Sequence, residues 1–214
     1  MKLYTYFRSS AAFRVRIALN LKGLAYDAVP VHLARGGGEQ HQPGYRALNP
    51  AGLVPALEVD GQVLTQSLAI IEYLDETHPQ PPLLPGSPAD RARIRAIAQA
   101  IACDIHPINN LRVLQYLQRE LGANDAQKNA WYRHWIEVGL AAVEAMLADD
   151  ARTGAFCHGD TPTLADCCLV PQVFNARRFD CSLEPYPTIT RIAARCESLE
   201  AFRKAAPANQ PDAE

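Results

Sequence analysis

The chain has no apolar run approaching the length of a membrane span, no internal repeat and no low-complexity tract. These absences exclude a membrane-spanning helix, a solenoid and a disordered linker protein. Charge of one sign is also missing. Lys and Arg number 21 against 23 Asp and Glu, a net charge of −2, so there is no electrostatic case for nucleic acid or an anionic membrane as partner. Cysteine is present at 103, 157, 167, 168, 181 and 196, but without a Cys-x-x-Cys pair or finger-like histidine spacing. Cys167 and Cys168 are adjacent on an expected helix and so point in different directions. All six are read as reduced packing thiols of a cytoplasmic protein, with no metal site. Met1-Lys2-Leu3 runs directly into a strand, so no signal peptide is expected.

What is there divides into two textures, enough in 214 residues for one large domain or two small ones. Up to about Thr77, short strands and helices alternate. Leu3–Phe7 reads as a strand, followed by a helix from Ala11 to Gly23, on which Phe13, Ile17, Ala18 and Leu21 recur at helical spacing. Asp27–Leu33 is a second strand, completing a βαβ unit. A glycine-rich polar loop through Gly36-Gly37-Gly38 leads to Asn49-Pro50. Val54–Val59 and Gln62–Thr65 are short strands joined by Asp60-Gly61, a strong hairpin signal. A helix follows from Ser67 through Ile70, Ile71 and Leu74. The order βαβ then ββα resembles the thioredoxin-like arrangement.

The proline-dense stretch His78–Gly86 cannot continue a helix and marks the boundary. Residues 1–80 are expected to form the α/β domain, 81–86 the linker and 87–214 an all-α domain. Ser87-Pro88-Ala89-Asp90 opens a long helix carrying Ile94, Ile97, Ile101 and Ile105, with a kink at Pro107. A second helix spans about Asp125–Leu147, and a third starts at Thr163-Leu164-Ala165-Asp166, a capping-box pattern. The tail after Pro207 reads as frayed.

The junction Phe7-Arg8-Ser9-Ser10 carries the most chemistry. A strand here delivers two hydroxyls and an arginine to a helix start, where unpaired N–H groups and the positive end of the helix dipole favour an anion. Simple N-capping explains the serines equally well. Val54-Pro55 is read two ways: an ordinary trans proline at a strand edge, or a cis bond that leaves the Val54 backbone free to pair with an extended peptide. Gln66-Ser67 again places a hydroxyl at a helix start. Arg14 and Arg16 are expected to face solvent or a subunit partner.

Together these segments resemble a known family. Tyr6-Phe7-Arg8-Ser9-Ser10 with Arg14–Leu19, Leu48-Asn49-Pro50 with Val54-Pro55, Gln66-Ser67, Asp104–Asn110, Gly159–Asp166 and Pro171-Gln172-Val173 with Arg177-Arg178-Phe179 are similar to the zeta class of glutathione transferases, which includes maleylacetoacetate and maleylpyruvate isomerases. The resemblance implies a glutathione-binding first domain and a substrate-selecting second one. By analogy Val54, after a cis Pro55, pairs with the glutathione backbone, and Gln66 and Ser67 hold its γ-glutamyl end. Ser9, supported by Ser10, stabilises the thiolate. His41, His106 and Asn110 are weaker carry-overs, with a solvated loop histidine and packing beside Pro107 as the plainer readings of the two histidines. The class commonly has cysteine where this chain has Ala11, leaving the two serines to activate the thiol without that polarisable neighbour.

The implied activity is glutathione-dependent cis–trans isomerisation of a maleyl keto-acid to its fumaryl isomer. The substrate carries two carboxylates, for which Arg8, Arg178 and Arg112 are the candidate clamps, each otherwise an ordinary surface arginine. Arg177 beside Arg178 leaves a one-residue register ambiguity. A homodimer is implied by the resemblance. The alternatives are a transferase or dehalogenase acting on small α-halo acids, and a non-catalytic binding module that keeps the fold alone.

Overall fold

The computed structural model describes residues 1–214, which form two compact units: Met1–Leu83 together with Ser198–Glu214, and Leu84–Glu197. The first unit contains the four-stranded sheet in the order β2-β1-β3-β4. β1 (Lys2–Thr5) runs parallel to β2 (Asp27–Pro30), with Leu3 opposite Ala28. β3 (Ala56–Val59) lies antiparallel to β1, Leu57 opposite Leu3, and β4 (Gln62–Thr65) closes the hairpin on β3. Asp60 and Gly61 both have positive φ, 49° and 75°, the twist a two-residue hairpin requires. Both α1 (Ser10–Leu21) and α9 (Glu200–Ala205) belong to this unit and pack on one another, and α1 also packs on α3 (Ser67–Thr77). α2 (Pro43–Leu48) is a short helix in the loop between β2 and β3.

Three strands are shorter than expected: β1 ends at Thr5, not Phe7, because the chain turns there, with the Ser9 N–H on the Tyr6 carbonyl. β2 ends at Pro30, not Leu33: its last bond to β1 is from the Val31 N–H to the Thr5 carbonyl at 2.7 Å, and β1 goes no further. β3 begins at Ala56, after a cis Val54–Pro55 bond. The Lys22 ammonium, fully buried at its side chain, ion-pairs with Asp75 at 2.8 Å and donates to the carbonyls of His78 and Pro81, fixing the start of the connector.

The second unit is helical. α4 (Pro88–Gln99) starts at a capping box formed by Ser87 and Asp90. It does not run on to a kink at Pro107: it loosens into a π-helical turn over Ala100–Ile105, and a separate helix α5 (Leu111–Arg119) begins after Asn110. Pro107 lacks the N–H that a continuous helix would need. α6 (Asp125–Ala148) and α7 (Leu164–Arg178) match the expected helices, each with a capping box, at Asn124/Gln127 and Thr163/Asp166. α8 (Pro187–Glu197) completes the unit and packs on α6 and α7. α7 buries twelve of its fifteen residues, including Cys167 and Cys168, so it is the core helix. All six cysteines are free thiols; five are buried and Cys103 is exposed, in line with packing roles. No helix is long and apolar enough to cross a membrane.

The C-terminal tail is a correction. It is not frayed: Pro207–Asn209 forms a turn, Gln210 is buried, and Asp212 accepts a hydrogen bond from the Phe7 N–H at 2.9 Å. The segment from Ser198 onward therefore packs with the first unit, whereas the sequence placed it in the helical domain.

Candidate active site

The sheet register brings the first unit's candidate residues to one end of the sheet. Tyr4 of β1 lies opposite Ala56 of β3, which lies opposite Thr65 of β4. The loop after β1, the Val54-Pro55 entry to β3 and the Gln66-Ser67 exit from β4 are therefore neighbours. Ser9 is the N-cap of α1, and its Oγ accepts from the Ala12 N–H at 3.2 Å. That bond uses an oxygen lone pair and leaves the hydroxyl proton to donate elsewhere. Ser10, the first residue of α1, is buried. Arg8 is exposed; its Nη2 donates to the Tyr6 hydroxyl at 2.9 Å and its guanidinium lies 4.9 Å from the Phe7 ring centroid.

Val54 is held in a braced loop. The Leu53 carbonyl accepts from the Tyr45 hydroxyl at 2.6 Å and from Asn49 Nδ2 at 2.7 Å. Burial pushes the Tyr45 hydroxyl pKa up to about 12, so it stays a proton donor. Val54 itself packs in a cluster with Tyr6, Phe7, Val31 and Tyr45. Its N–H and C=O take part in none of the loop's backbone hydrogen bonds, which leaves both groups able to pair with a peptide. Ser67 is buried at the start of α3 and accepts from Arg14 Nη1 at 3.2 Å. Gln66 is exposed just before it, with φ of 68°. His41 is exposed in the polar loop, with Nε2 3.2 Å from Gln40 Nε2.

Arg14 and Arg16 overturn the expectation that they face solvent. They are only 2% and 0% exposed. Arg16 donates to Thr5 Oγ1 at 2.9 Å and to the carbonyls of Tyr6, Phe7 and Ala205 at 3.3, 2.9 and 3.0 Å. Desolvation pulls its pKa down to about 10, which still leaves it cationic at neutral pH. Charged residues are rarely fully buried, and what overrides that preference here is a set of carbonyls from the β1–α1 turn and from α9.

In the second unit the candidates are more dispersed. His106 is half-buried at the end of the π-helical turn, its N–H bonded to the Ile101 carbonyl at 3.0 Å. Asn110 does not lie on the long helix: it is the N-cap of α5, and its Oδ1 accepts from the Arg112 N–H at 3.2 Å. Arg112 is exposed in the first turn of α5. Arg178 is exposed at the last turn of α7, its guanidinium 4.8 Å from the Phe179 ring, which stacks on Tyr132 at 3.5 Å. Burial drives the Tyr132 hydroxyl up to about 12, against the opposing pull of the nearby Arg178 charge. Arg177 is ion-paired with Glu197, whereas Arg178 has no acidic partner. Of the two adjacent arginines, Arg178 is the one free to meet an anionic ligand.

The family model for the glutathione S-transferase N-terminal domain matches residues 3–82, and that for the C-terminal domain matches residues 129–207. The chain belongs to the glutathione S-transferase family. A probable maleylacetoacetate isomerase of Vibrio cholerae is 57% identical over 212 residues, covering 99% of this chain and 97% of the relative. Among solved structures, the holo form of a maleyl pyruvate isomerase, described as a bacterial glutathione S-transferase in the zeta class, superposes with a TM-score of 0.97 at 53% identity over the whole of both chains. A maleylacetoacetate isomerase from Methylobacterium extorquens AM1, solved with bound malonate and GSH, gives 0.96 at 44% identity, again over both whole chains. The glutathione transferase fold and the zeta-class resemblance read from the sequence are borne out.

Proposed function

We propose that this glutathione transferase is a glutathione-dependent cis–trans isomerase of a maleyl keto-acid, maleylacetoacetate or maleylpyruvate. The observation that carries the reading is the convergence at one sheet end of three elements: the Ser9 hydroxyl at a helix start, the unpaired Val54 backbone edge, and Ser67 over the buried Arg14. These residues fit glutathione. The Val54 N–H and C=O match the backbone of its cysteinyl unit. Ser67 and Gln66 sit at the N-terminal end of α3, where backbone N–H groups suit the γ-glutamyl carboxylate.

Bound glutathione supplies a recyclable thiolate nucleophile toward the substrate's cis double bond. Ser9 would donate a hydrogen bond from its hydroxyl to the thiolate sulfur, Ser10 supports the turn, and the α1 dipole favours negative charge there. Arg8, Arg178 and Arg112 bind the substrate's carboxylates and the charge that develops on its keto-acid portion. His41, His106 and Asn110 are secondary contacts in this reading. We further infer a homodimer, as the family resemblance implies, and a cytoplasmic setting, which suits six cysteines that form no disulfide.

The test is steady-state kinetics on arginine variants. Arg178→Ala should raise KM for maleylpyruvate about tenfold or more, the weight of a charge-assisted hydrogen bond, with KM for glutathione little changed. Arg177→Ala should behave as wild type in both. The reverse pattern would assign the substrate contact to Arg177.

A further inference from the structure

The turn that delivers Ser9 is held from two directions. Its own closure is the Ser9 N–H bonded to the Tyr6 carbonyl at 2.9 Å. From inside, Arg16 takes the Tyr6 and Phe7 carbonyls at 3.3 and 2.9 Å. The Phe7 N–H points the other way and is part-buried, where an N–H needs an acceptor. It finds one 205 residues away in the chain, donating to Asp212 Oδ2 at 2.9 Å.

The tail that carries Asp212 is pinned on both sides. Before it, Gln210 Nε2 donates to the carbonyls of Lys204 and Ala206 at 2.8 and 3.0 Å. After it, Glu214 Oε1 accepts from Arg35 Nη2 at 2.8 Å and lies 3.2 Å from His32 Nε2. His32 Nδ1 accepts from the Ala34 and Arg35 N–H groups at 3.2 and 2.8 Å. The neutral ring therefore carries its proton on Nε2, the nitrogen that faces Glu214.

We propose that Asp212 is a positioning residue for the thiol site: carried to the sheet end by the C-terminal tail, its carboxylate fixes the Phe7 peptide and so the direction of the Ser9 hydroxyl. The inference rests on the reading of Ser9 as the donor to the glutathione thiol. Hydrogen bonds weaken steeply as their angle departs from linearity. A turn free to rock about the Phe7 peptide presents Ser9 at the wrong angle for part of the time, even with every active-site side chain intact. The β1–α1 turn lies at the start of the chain and its brace at the end, so the catalytic loop is complete only when the tail has docked.

Two readouts test this on the full chain, with Asp212→Ala, Asp212→Asn and the wild type compared. The first is amide hydrogen exchange at Phe7 in protein without glutathione. The second is the pH titration of bound glutathione by thiolate ultraviolet absorbance. Asp212→Ala should exchange the Phe7 amide about tenfold faster or more, and should hold about tenfold less thiolate at a fixed pH below the midpoint. Asp212→Asn should stay within about twofold of wild type in both, because its amide oxygen accepts the same N–H. Far-ultraviolet circular dichroism establishes that each variant is folded. Alanine behaving as wild type, or asparagine behaving as alanine, would overturn the proposal. A bound thiol that titrates like free glutathione in the wild type is a different result: it overturns the Ser9 reading itself, and the positioning role with it.

Discussion

Replacing Ser9 with alanine is expected to lower kcat about 100-fold at neutral pH, the scale on which one aimed hydrogen-bond donor at a developing or resident anion acts. The hydroxyl does two jobs. Its oxygen accepts the Ala12 N–H at 3.2 Å, and its proton is left to donate to sulfur. Loss of the cap costs about 1 kcal/mol, a fall in melting temperature of about 2–4 °C for a chain of this size. That is far too small to explain the loss of rate. The pH dependence separates the two effects. A thiol is an acid whose charged form the Ser9 donor stabilises, so removing the donor raises its pKa and lowers the thiolate fraction at neutral pH. Activity of the alanine variant should then climb as the pH is raised toward the new pKa, while the wild type is already near its plateau. Ser9→Thr keeps both the cap and the donor and should retain most of the rate. An alanine variant with a flat, uniformly depressed pH profile would rule out thiol ionisation as the role of this hydroxyl.

Arg16→Met is expected to be the most destabilising single change in the first unit, by about 3–5 kcal/mol. The guanidinium is fully buried and serves Thr5 Oγ1 and three carbonyls. Methionine fills much of the volume but leaves those acceptors buried and unpaired, at about 1–3 kcal/mol for each that water cannot reach. The melting temperature should fall by roughly 10 °C. Arg16→Lys keeps the charge but cannot fork to four acceptors on different segments, so it should recover only part of the loss. Thermal unfolding followed by circular dichroism measures all three proteins. Unchanged melting for Arg16→Met would mean that the network contributes nothing net, as happens when a buried charge's desolvation cancels its bonds.

These two residues also mark where the sequence was legible and where it was not. Ser9 sits in a local pattern, a strand running into a helix with two capping residues between, and local patterns read directly from spacing. The same holds for the Asp60-Gly61 hairpin, the N-cap at Ser87 and the capping box at Thr163, whereas Val-Pro alone left cis and trans open and only the family resemblance pointed to cis. Arg16 is illegible by the same logic. Its spacing on the helix does not explain its burial; the reason is a set of acceptors on other segments, Thr5 Oγ1 and the carbonyls of Tyr6, Phe7 and Ala205, the last 189 positions away. Its neighbours Val15 and Ile17 are buried as well, so α1 is apolar around most of its circumference and offers no polar face by which to place the charge. The tail failed for a related reason. Pro207 to Glu214 is short, polar and terminal, which reads as fraying, yet its order comes from side-chain contacts to Phe7, His32 and Arg35. The break between α4 and α5 was half legible: Pro107 announced a disruption, but not that a π-helical turn would precede it or that Asn110 would cap a new helix.

The central claim, that glutathione acts as a recycled catalyst for double-bond isomerisation, is tested most directly by following maleylpyruvate and maleylacetoacetate conversion in the ultraviolet with and without glutathione. Both substrates should be tried, because they present the same maleyl keto-acid head. The fumaryl isomer should form only when glutathione is present, and the free thiol concentration should be the same at the end as at the start. Equal turnover without glutathione, or its consumption in proportion to the substrate converted, would contradict that claim.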